Sequence, residues 1–168
     1  MSGQPGQRLY MIREALENIP KLEVPSRYSV RWYQPGDEAK WLRVHELADP
    51  LTHLSPGFFR RQFPIGDDLL GQRQVFLIDR QGEAVGTVTA WEGSFEGERM
   101  GRVHWLAVVP EEQGKGLGAL LLSVACERLR LLGFERAYLV TSPLRTAAIR
   151  LYKRFGFAGV SQHRAGSP

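Results

Sequence analysis

Cysteine is almost absent from this chain: Cys126 stands alone. No intrachain disulfide can form, and a cysteine-based zinc site is excluded. A cytoplasmic home is the default for such a chain. Long apolar runs are missing too. The longest candidates, Val75–Ile78 and the interrupted Leu117–Ala125, fall short of the ~18 residues that a membrane-spanning helix needs. Met1–Gln7 is polar and lacks the apolar core of a signal peptide, so it reads as a loose tail. Nor is there a strong excess of one charge. Lys and Arg number 22 and Asp and Glu 18, a net charge of +4. That surplus is too small and too scattered to point to nucleic acid, although it suits a ligand that carries phosphate. No internal repeat stands out, and no His, Asp, Glu or Cys cluster has metal-ligand spacing.

What is present is ordinary globular material, with 43% apolar and 24% charged residues. A chain of 168 residues makes one domain and buries roughly 70% of its unfolded surface without a staple. Residues 1–25 read as a tail and a packed arm, with a short helical pattern over 8–25 before two prolines. Residues 26–168 read as a single domain. Tyr28–Tyr33 alternates and is rich in strand formers. Asp37 is placed to cap a helix over Glu38–Ala48, and a second helical patch covers Pro56–Gln62 after Ser55. Strands follow at Gln74–Asp79 and Ala84–Trp91, joined by a turn at Arg80-Gln81-Gly82. A loop at Gly93–Gly97 leads to a strand at Gly101–Val109, which Pro110 ends. A helix over Gly116–Leu132 stops at Gly133. Then come a strand at Ala137–Val140, a helix at Leu144–Phe155 and a strand at Phe157–Val160. The order β-α-α-β-β-β-α-β-α-β predicts an α/β fold with a mixed, mainly antiparallel central sheet and helices on both faces.

The most informative stretch is Val103–Gly118. A strand runs through Leu106-Ala107-Val108, and the chain then passes Pro110 and Gln113 into Gly114-Lys115-Gly116-Leu117-Gly118. Glycine lets the backbone approach a ligand closely. The free N–H groups and dipole of the helix's first turn favour an anion there. These residues therefore predict a phosphate or pyrophosphate site, with Lys115 adding positive charge. A nucleotide P-loop is excluded, because Val109 stands where its first glycine belongs and Gly116 follows Lys115. A dinucleotide fingerprint fits poorly, because Pro110–Gln113 separates the strand from the glycines. The plainer alternative is a glycine-rich turn. Each glycine falling inside the helix would cost it about 0.8–1 kcal/mol, which weighs against that alternative.

With its second pattern, the sequence resembles the GNAT superfamily of acyl-CoA-dependent N-acyltransferases. The superfamily's central motif, (Q/R)-x-x-G-x-(G/A), is met by Gln113, Gly116 and Gly118 after the Leu106-Ala107-Val108 run and Pro110. Its second motif, N-x-x-A-x-x-L-Y-x-x-x-G-F, is met by Ala148, Leu151, Tyr152, Gly156 and Phe157. Arg145 occupies the asparagine position and departs from the pattern. The resemblance covers about Tyr28 to Val160. It implies an acetyl-CoA co-substrate and no metal. Leu106, Ala107 and Val108 would offer backbone hydrogen bonds to the pantetheine arm. Gln113, Gly114, Lys115, Gly116, Leu117 and Gly118, with Ala119, would cradle the pyrophosphate, and Ala148 belongs to the same cofactor set. It also implies a bulge in the strand that carries Val108.

The implied reaction is direct attack of a primary amine on the acetyl thioester in a ternary complex. The acceptor would be a small molecule or a peptide, not nucleic acid or a membrane. A lysine-like amine, with a pKa near ~10.4, must lose a proton, and the departing thiolate must gain one. Tyr152 is the candidate acid, and a core aromatic is its plainer alternative. His104 is the candidate base, where some family members carry a glutamate. A water relay or a merely structural histidine is its alternative. Simple alternation would put His104, Leu106 and Val108 on one face of their strand. Glu92 and Glu96 read first as solvated loop acids, and His45 and His53 as surface or capping residues. Trp41, Trp91 and Trp105 read as core, Thr141 and Ser142 as turn residues after their strand, and Cys126 as a small buried hydrophobe. The alternative for the whole chain is a non-catalytic acyl-CoA sensor or scaffold of the same fold. A monomer and a homodimer are both open.

Overall fold

The computed structural model describes residues 6–160, so residues 1–5 of the expected tail and the residues after Val160 lie outside it. Its strands are β1 (Leu9–Arg13), β2 (Tyr28–Trp32), β3 (Gln74–Asp79), β4 (Ala84–Phe95), β5 (Glu98–Val108), β6 (Ala137–Thr141) and β7 (Ala158–Val160). Its α-helices are α1 (Glu38–Ala48), α2 (Phe58–Gln62), α3 (Asp67–Leu70), α4 (Leu117–Leu131) and α5 (Thr146–Arg154). The sheet order is β2-β3-β4-β5-β6-β1-β7. The β5–β6 pair is parallel, with Gly101 opposite Ala137 and Arg102 opposite Tyr138. The pairs β2–β3, β3–β4, β1–β6 and β1–β7 are antiparallel. This is the mixed, mainly antiparallel α/β sheet expected.

The largest departure is at the start. The helical pattern expected over 8–25 is not formed there; Leu9–Arg13 is a strand between β6 and β7. Met11 and Ile12 are buried, and a strand flanked on both sides shows no clean alternation to read. β4 also runs on to Phe95, and the expected loop at Gly93–Gly97 shrinks to a tight turn. Glu96 and Gly97 both have positive φ, 52° and 79°, as the favoured two-residue hairpin turn requires. Helix α3 was not foreseen, being four residues between Gly66 and Gly71.

The chain divides into two compact units. Among the described residues, one comprises 6–20, Ala90–His104 and 126–160. Its core packs Ile12, Phe95, Met100 and Tyr138 against Tyr10, Val140 and Val160. Buried Arg13 donates Nε–H to Ala15 O at 2.8 Å and Nη2–H to Glu17 O at 2.6 Å, and its third contact is Phe155 O. Helix α4 ends here in a Schellman turn. Phe134 N–H reaches Leu129 O at 3.1 Å across Gly133, whose φ is +93°.

The other unit comprises Lys21–Thr89 and Trp105–Ala125. Its core is aromatic: Trp41, Phe59 and Phe63 are fully buried and mutually packed, with centroids 5.1–5.5 Å apart. Asp37 precedes α1 but makes no side-chain cap. Its carboxylate instead takes both Arg31 Nη groups, at 2.8 and 2.9 Å, and the Gln34 N–H at 2.8 Å. Ser55 likewise caps nothing with its side chain; its Oγ accepts from Arg61 at 2.7 Å.

Candidate functional site

The glycine loop lies wholly in the second unit. After β5, Pro110–Glu112 forms one 3₁₀ turn, and α4 opens at Leu117. Gly114 and Gly116 both lie in the left-handed region, at φ +76° and +80°, and a Cβ on either would meet nothing within 4 Å. The space beside them is therefore open, and only glycine holds that backbone without strain. Leu120 N–H bonds to Gly116 O at 3.1 Å as the first helical bond. The earlier N–H groups of the turn have no intrahelical carbonyl to meet. Gln113 Nε2 donates to Val108 O at 2.9 Å and ties the loop back to the strand end. The open cradle, the helix start and the anchored Gln113 together fit a pyrophosphate.

Lys115 sits between the two glycines, but its charge is engaged. Its Nζ lies 2.9 Å from Glu112 Oε2, and the same carboxylate accepts the Tyr28 hydroxyl. The Tyr28 contact, then Lys115, holds the Glu112 carboxyl below its ordinary range. Behind Leu106–Val108 stands Gly86, which sequence reading passed over. A Cβ there would lie 2.9 Å from Leu121 Cδ1 and 3.3 Å from Ala107 O. An alanine would crowd the segment assigned to the pantetheine arm. A glycine amid the β-branched residues of a strand was the available signal.

In β5, Trp105 has φ +53°. That left-handed backbone is rare for a bulky residue and marks an irregular point in the strand. The Trp105 indole lies 5.4 Å from Trp41, 5.1 Å from His45 and 5.6 Å from Phe58, centroid to centroid. Its Nε1–H donates to Gln62 Oε1 at 3.1 Å. His45 is buried in this aromatic cluster rather than lying on the surface, while His53 is exposed.

The first unit holds the remaining candidates. His104 is half-buried on β5. Ala148 and Tyr152 lie on α5 one turn apart, Ala148 half-buried and Tyr152 only 8% exposed. Burial pushes the Tyr152 phenol above its ordinary range, and the Arg145 charge opposes that shift. The Tyr152 ring meets Phe157 edge-on at 6.4 Å. Arg145, in the family's asparagine slot, is the N-cap of α5 and makes no side-chain cap bond. Glu92 is a strand residue rather than a loop acid, and it pairs with Arg99. Thr141 is the last residue of β6, and Ser142 Oγ accepts the Leu144 N–H at 3.3 Å as a turn residue does. Cys126 is fully buried and its thiol is pushed up to about 12, which rules it out as an acyl carrier at neutral pH.

Among the described residues, no helix is long and apolar enough to cross a membrane, and no group of three His, Cys, Asp or Glu could hold a metal ion.

The acetyltransferase (GNAT) family model matches residues 38–157. A mycothiol acetyltransferase of Streptomyces griseus is 33% identical over 159 residues, spanning 90% of this chain and 50% of the relative. One of Mycobacteroides abscessus is 32% identical over 158 residues, spanning 90% of this chain and 53% of the relative. The chain thus spans about half the length of the curated relatives it matches. Among solved structures, a GCN5-related N-acetyltransferase from Sphaerobacter thermophilus superposes with a TM-score of 0.74 at 20% identity, over 95% of this chain and 50% of that one. The NatC complex bound to Gag peptide and CoA gives 0.66 at 17% identity, over 80% of this chain and 87% of that one. These two structures share the fold. With the family model covering most of its length and relatives above 30% identity, the chain belongs to the GNAT acetyltransferase family.

Proposed function

We propose that this protein transfers an acetyl group from acetyl-CoA to a primary amine, by direct attack and without an acyl-enzyme. The observation that carries the reading is the pair of left-handed glycines, Gly114 and Gly116, open to solvent at the start of α4. Gln113–Ala119 holds the pyrophosphate through backbone N–H groups, and Leu106–Val108 lends backbone partners to the pantetheine arm. The coenzyme supplies an activated thioester. The amine nitrogen bonds to the acetyl carbon, the carbon–sulfur bond breaks, and the thiolate takes a proton. Tyr152 gives that proton. Its burial keeps the phenol protonated across the physiological range, as an acid must be. His104 takes the amine proton, directly or through water.

The curated relatives are named mycothiol acetyltransferases, so a mycothiol-related small-molecule amine is the acceptor to test first. A second reading is a module that holds acyl-CoA without turnover, and it is favoured by one observation: Arg145 in place of the family asparagine.

The test begins with thermal unfolding beside acetyl-CoA, CoA, ATP and NAD. Ligand at 100 times its Kd stabilises by about 2.7 kcal/mol, worth roughly 5–11 °C at this size. A shift with the two CoA species alone supports the cofactor; an equal shift with ATP and NAD rejects it. Thiol release with an amine panel then separates enzyme from binding module.

A further inference from the structure

Beside the glycine loop, the second unit holds a cleft of about 170 Å³ lined by Arg27, Tyr28, Asp79, Arg80, Gln81 and Glu112. Its two carboxylates each have partners of their own. Asp79 Oδ1 accepts the N–H groups of Gln81 and Glu83, both at 2.9 Å, and so closes the β3–β4 turn. Glu112 accepts the Tyr28 hydroxyl and pairs with Lys115. The two arginines are different. Neither Arg27 nor Arg80 forms an ion pair or hydrogen bond with another described residue, although the Arg27 charge is felt by Tyr28 and Glu112. Two guanidinium forks thus face one cleft in which Glu112 is paired with Lys115 and Asp79 is held by its turn.

We propose that this cleft is a binding site for a phosphate monoester. Size, charge and shape each bear on the choice. The cleft is well below the ~300–1,000 Å³ of a site that encloses a whole ligand, yet far larger than a single water needs. It suits one anionic group and its shell. A phosphate monoester carries about −1.5 to −2 at neutral pH, which answers two guanidinium charges better than a single carboxylate would. Guanidinium presents paired N–H donors that match phosphate oxygens bidentately.

Two sources can supply the group: the 3′-phosphate of coenzyme A, or a phosphate that arrives separately. Glu112 lines the cleft and is followed directly by Gln113–Gly118, so the cleft adjoins the glycine loop proposed to hold the coenzyme. The coenzyme source rests on the acetyl-CoA reading above; the cleft's affinity for phosphate does not.

Calorimetric titration of the full chain with CoA, 3′-dephospho-CoA and inorganic phosphate at fixed ionic strength decides it. The proteins are wild type, Arg27→Gln/Arg80→Gln, and a charge-matched control, Arg8→Gln/Lys21→Gln. If the coenzyme brings the phosphate, wild type and control prefer CoA to 3′-dephospho-CoA at least tenfold. The arginine double variant then loses that preference while binding 3′-dephospho-CoA as wild type does. If the phosphate comes separately, inorganic phosphate saturates wild type and control but not the double variant, and the two coenzyme forms bind alike. Equal behaviour of all three proteins toward every ligand overturns the proposal. Failure of wild type to bind either coenzyme form overturns the acetyl-CoA reading instead, and the phosphate titration still judges the cleft.

Discussion

The Lys115 ammonium, flanked by the two left-handed glycines, lies 2.9 Å from Glu112 Oε2 rather than extending free from the loop. The loop proposed to receive an anion thus carries a carboxylate that holds its own cation. The Glu112 charge opposes an incoming phosphate, and it also competes for Lys115. Removing that charge takes away one repulsion against an incoming anion at contact distance. Glu112→Gln is therefore expected to tighten CoA binding roughly fivefold at low salt, and less at high salt. Titrations at two ionic strengths check this. Unchanged or weaker binding would show that Glu112 serves the loop rather than restraining it.

Gly116 and Gly133 provide a matched pair. Both have positive φ, +80° and +93°, and a Cβ on either meets nothing within 4 Å. Alanine at each costs about 1–2 kcal/mol of backbone strain, a fall in Tm of roughly 2–8 °C. Only Gly116 stands on the glycine loop. Gly116→Ala is expected to lose at least tenfold in CoA affinity, while Gly133→Ala melts earlier and binds CoA as before. Equal affinities in the two variants would deny the loop its phosphate role.

The geometry of the glycine loop was legible because it is local in the chain. Gln113, Gly114, Gly116 and Gly118 fall within one turn region, and positive φ at Gly114 and Gly116 follows from what glycine uniquely permits. Strand β3 and helix α1 carry their own patterns and fall on the residues expected. The hidden parts depend on the rest of the chain. The β1 strand is recognisable only once β6 and β7 lie on either side of it. Trp105 takes a positive φ with no glycine to announce it, its ring held among Trp41, His45 and Phe58 from distant helices. Asp37 looked like a cap, but Arg31 offered its carboxylate a better partner than the helix N–H groups did.

Tyr152→Phe removes one hydroxyl and leaves the ring against Phe157. If the phenol protonates the departing thiolate, turnover falls about 10²–10⁴-fold while KM for acetyl-CoA and Tm stay close to wild type. The phenol is raised above its ordinary value of 10.0 by burial. The alkaline limb of the wild-type pH–rate profile that reports it therefore lies above pH 10, and Tyr152→Phe abolishes that limb. A loss of only a few-fold, with the limb intact, would assign the proton to another group.

Asp37 gives a stability prediction with a defined pH window. Burial alone would raise its carboxyl, but the Arg31 and Gln34 hydrogen bonds outweigh burial and hold it below 3.8. A depressed carboxyl stabilises the fold fully above its unfolded pKa, and that contribution fades as pH falls through the folded value. Arg31 is partly exposed, so Asp37→Asn is expected to cost about 1–3 kcal/mol at pH 7. The gap from wild type should narrow steadily below pH 4. Urea denaturation at pH 7 and pH 3 measures it, and a pH-independent gap would show that the charge is not what matters.

Arg13 sets the C-terminal end of α5 from across the first unit. Among the described residues its guanidinium donates to the carbonyls of Ala15, Glu17 and Phe155, and it is 9% exposed. Phe155 is the C-cap of α5, where the helix dipole is negative and a buried cation is favourable. The Phe155 and Phe157 N–H groups both bond to Tyr152 O at 3.0 Å, so Arg13 steadies the turn that carries the proposed acid. Arg13→Met leaves three carbonyls without their donor and is expected to cost about 2–5 kcal/mol. Arg13→Lys keeps the charge but lacks the fork. It is expected to retain most of the stability, bind CoA as wild type does, and lose kcat several-fold with KM unchanged. A positioning role requires that split in kcat alone. If Arg13→Lys loses stability while kcat per folded molecule stays at the wild-type value, Arg13 is a structural clamp with no influence on Tyr152.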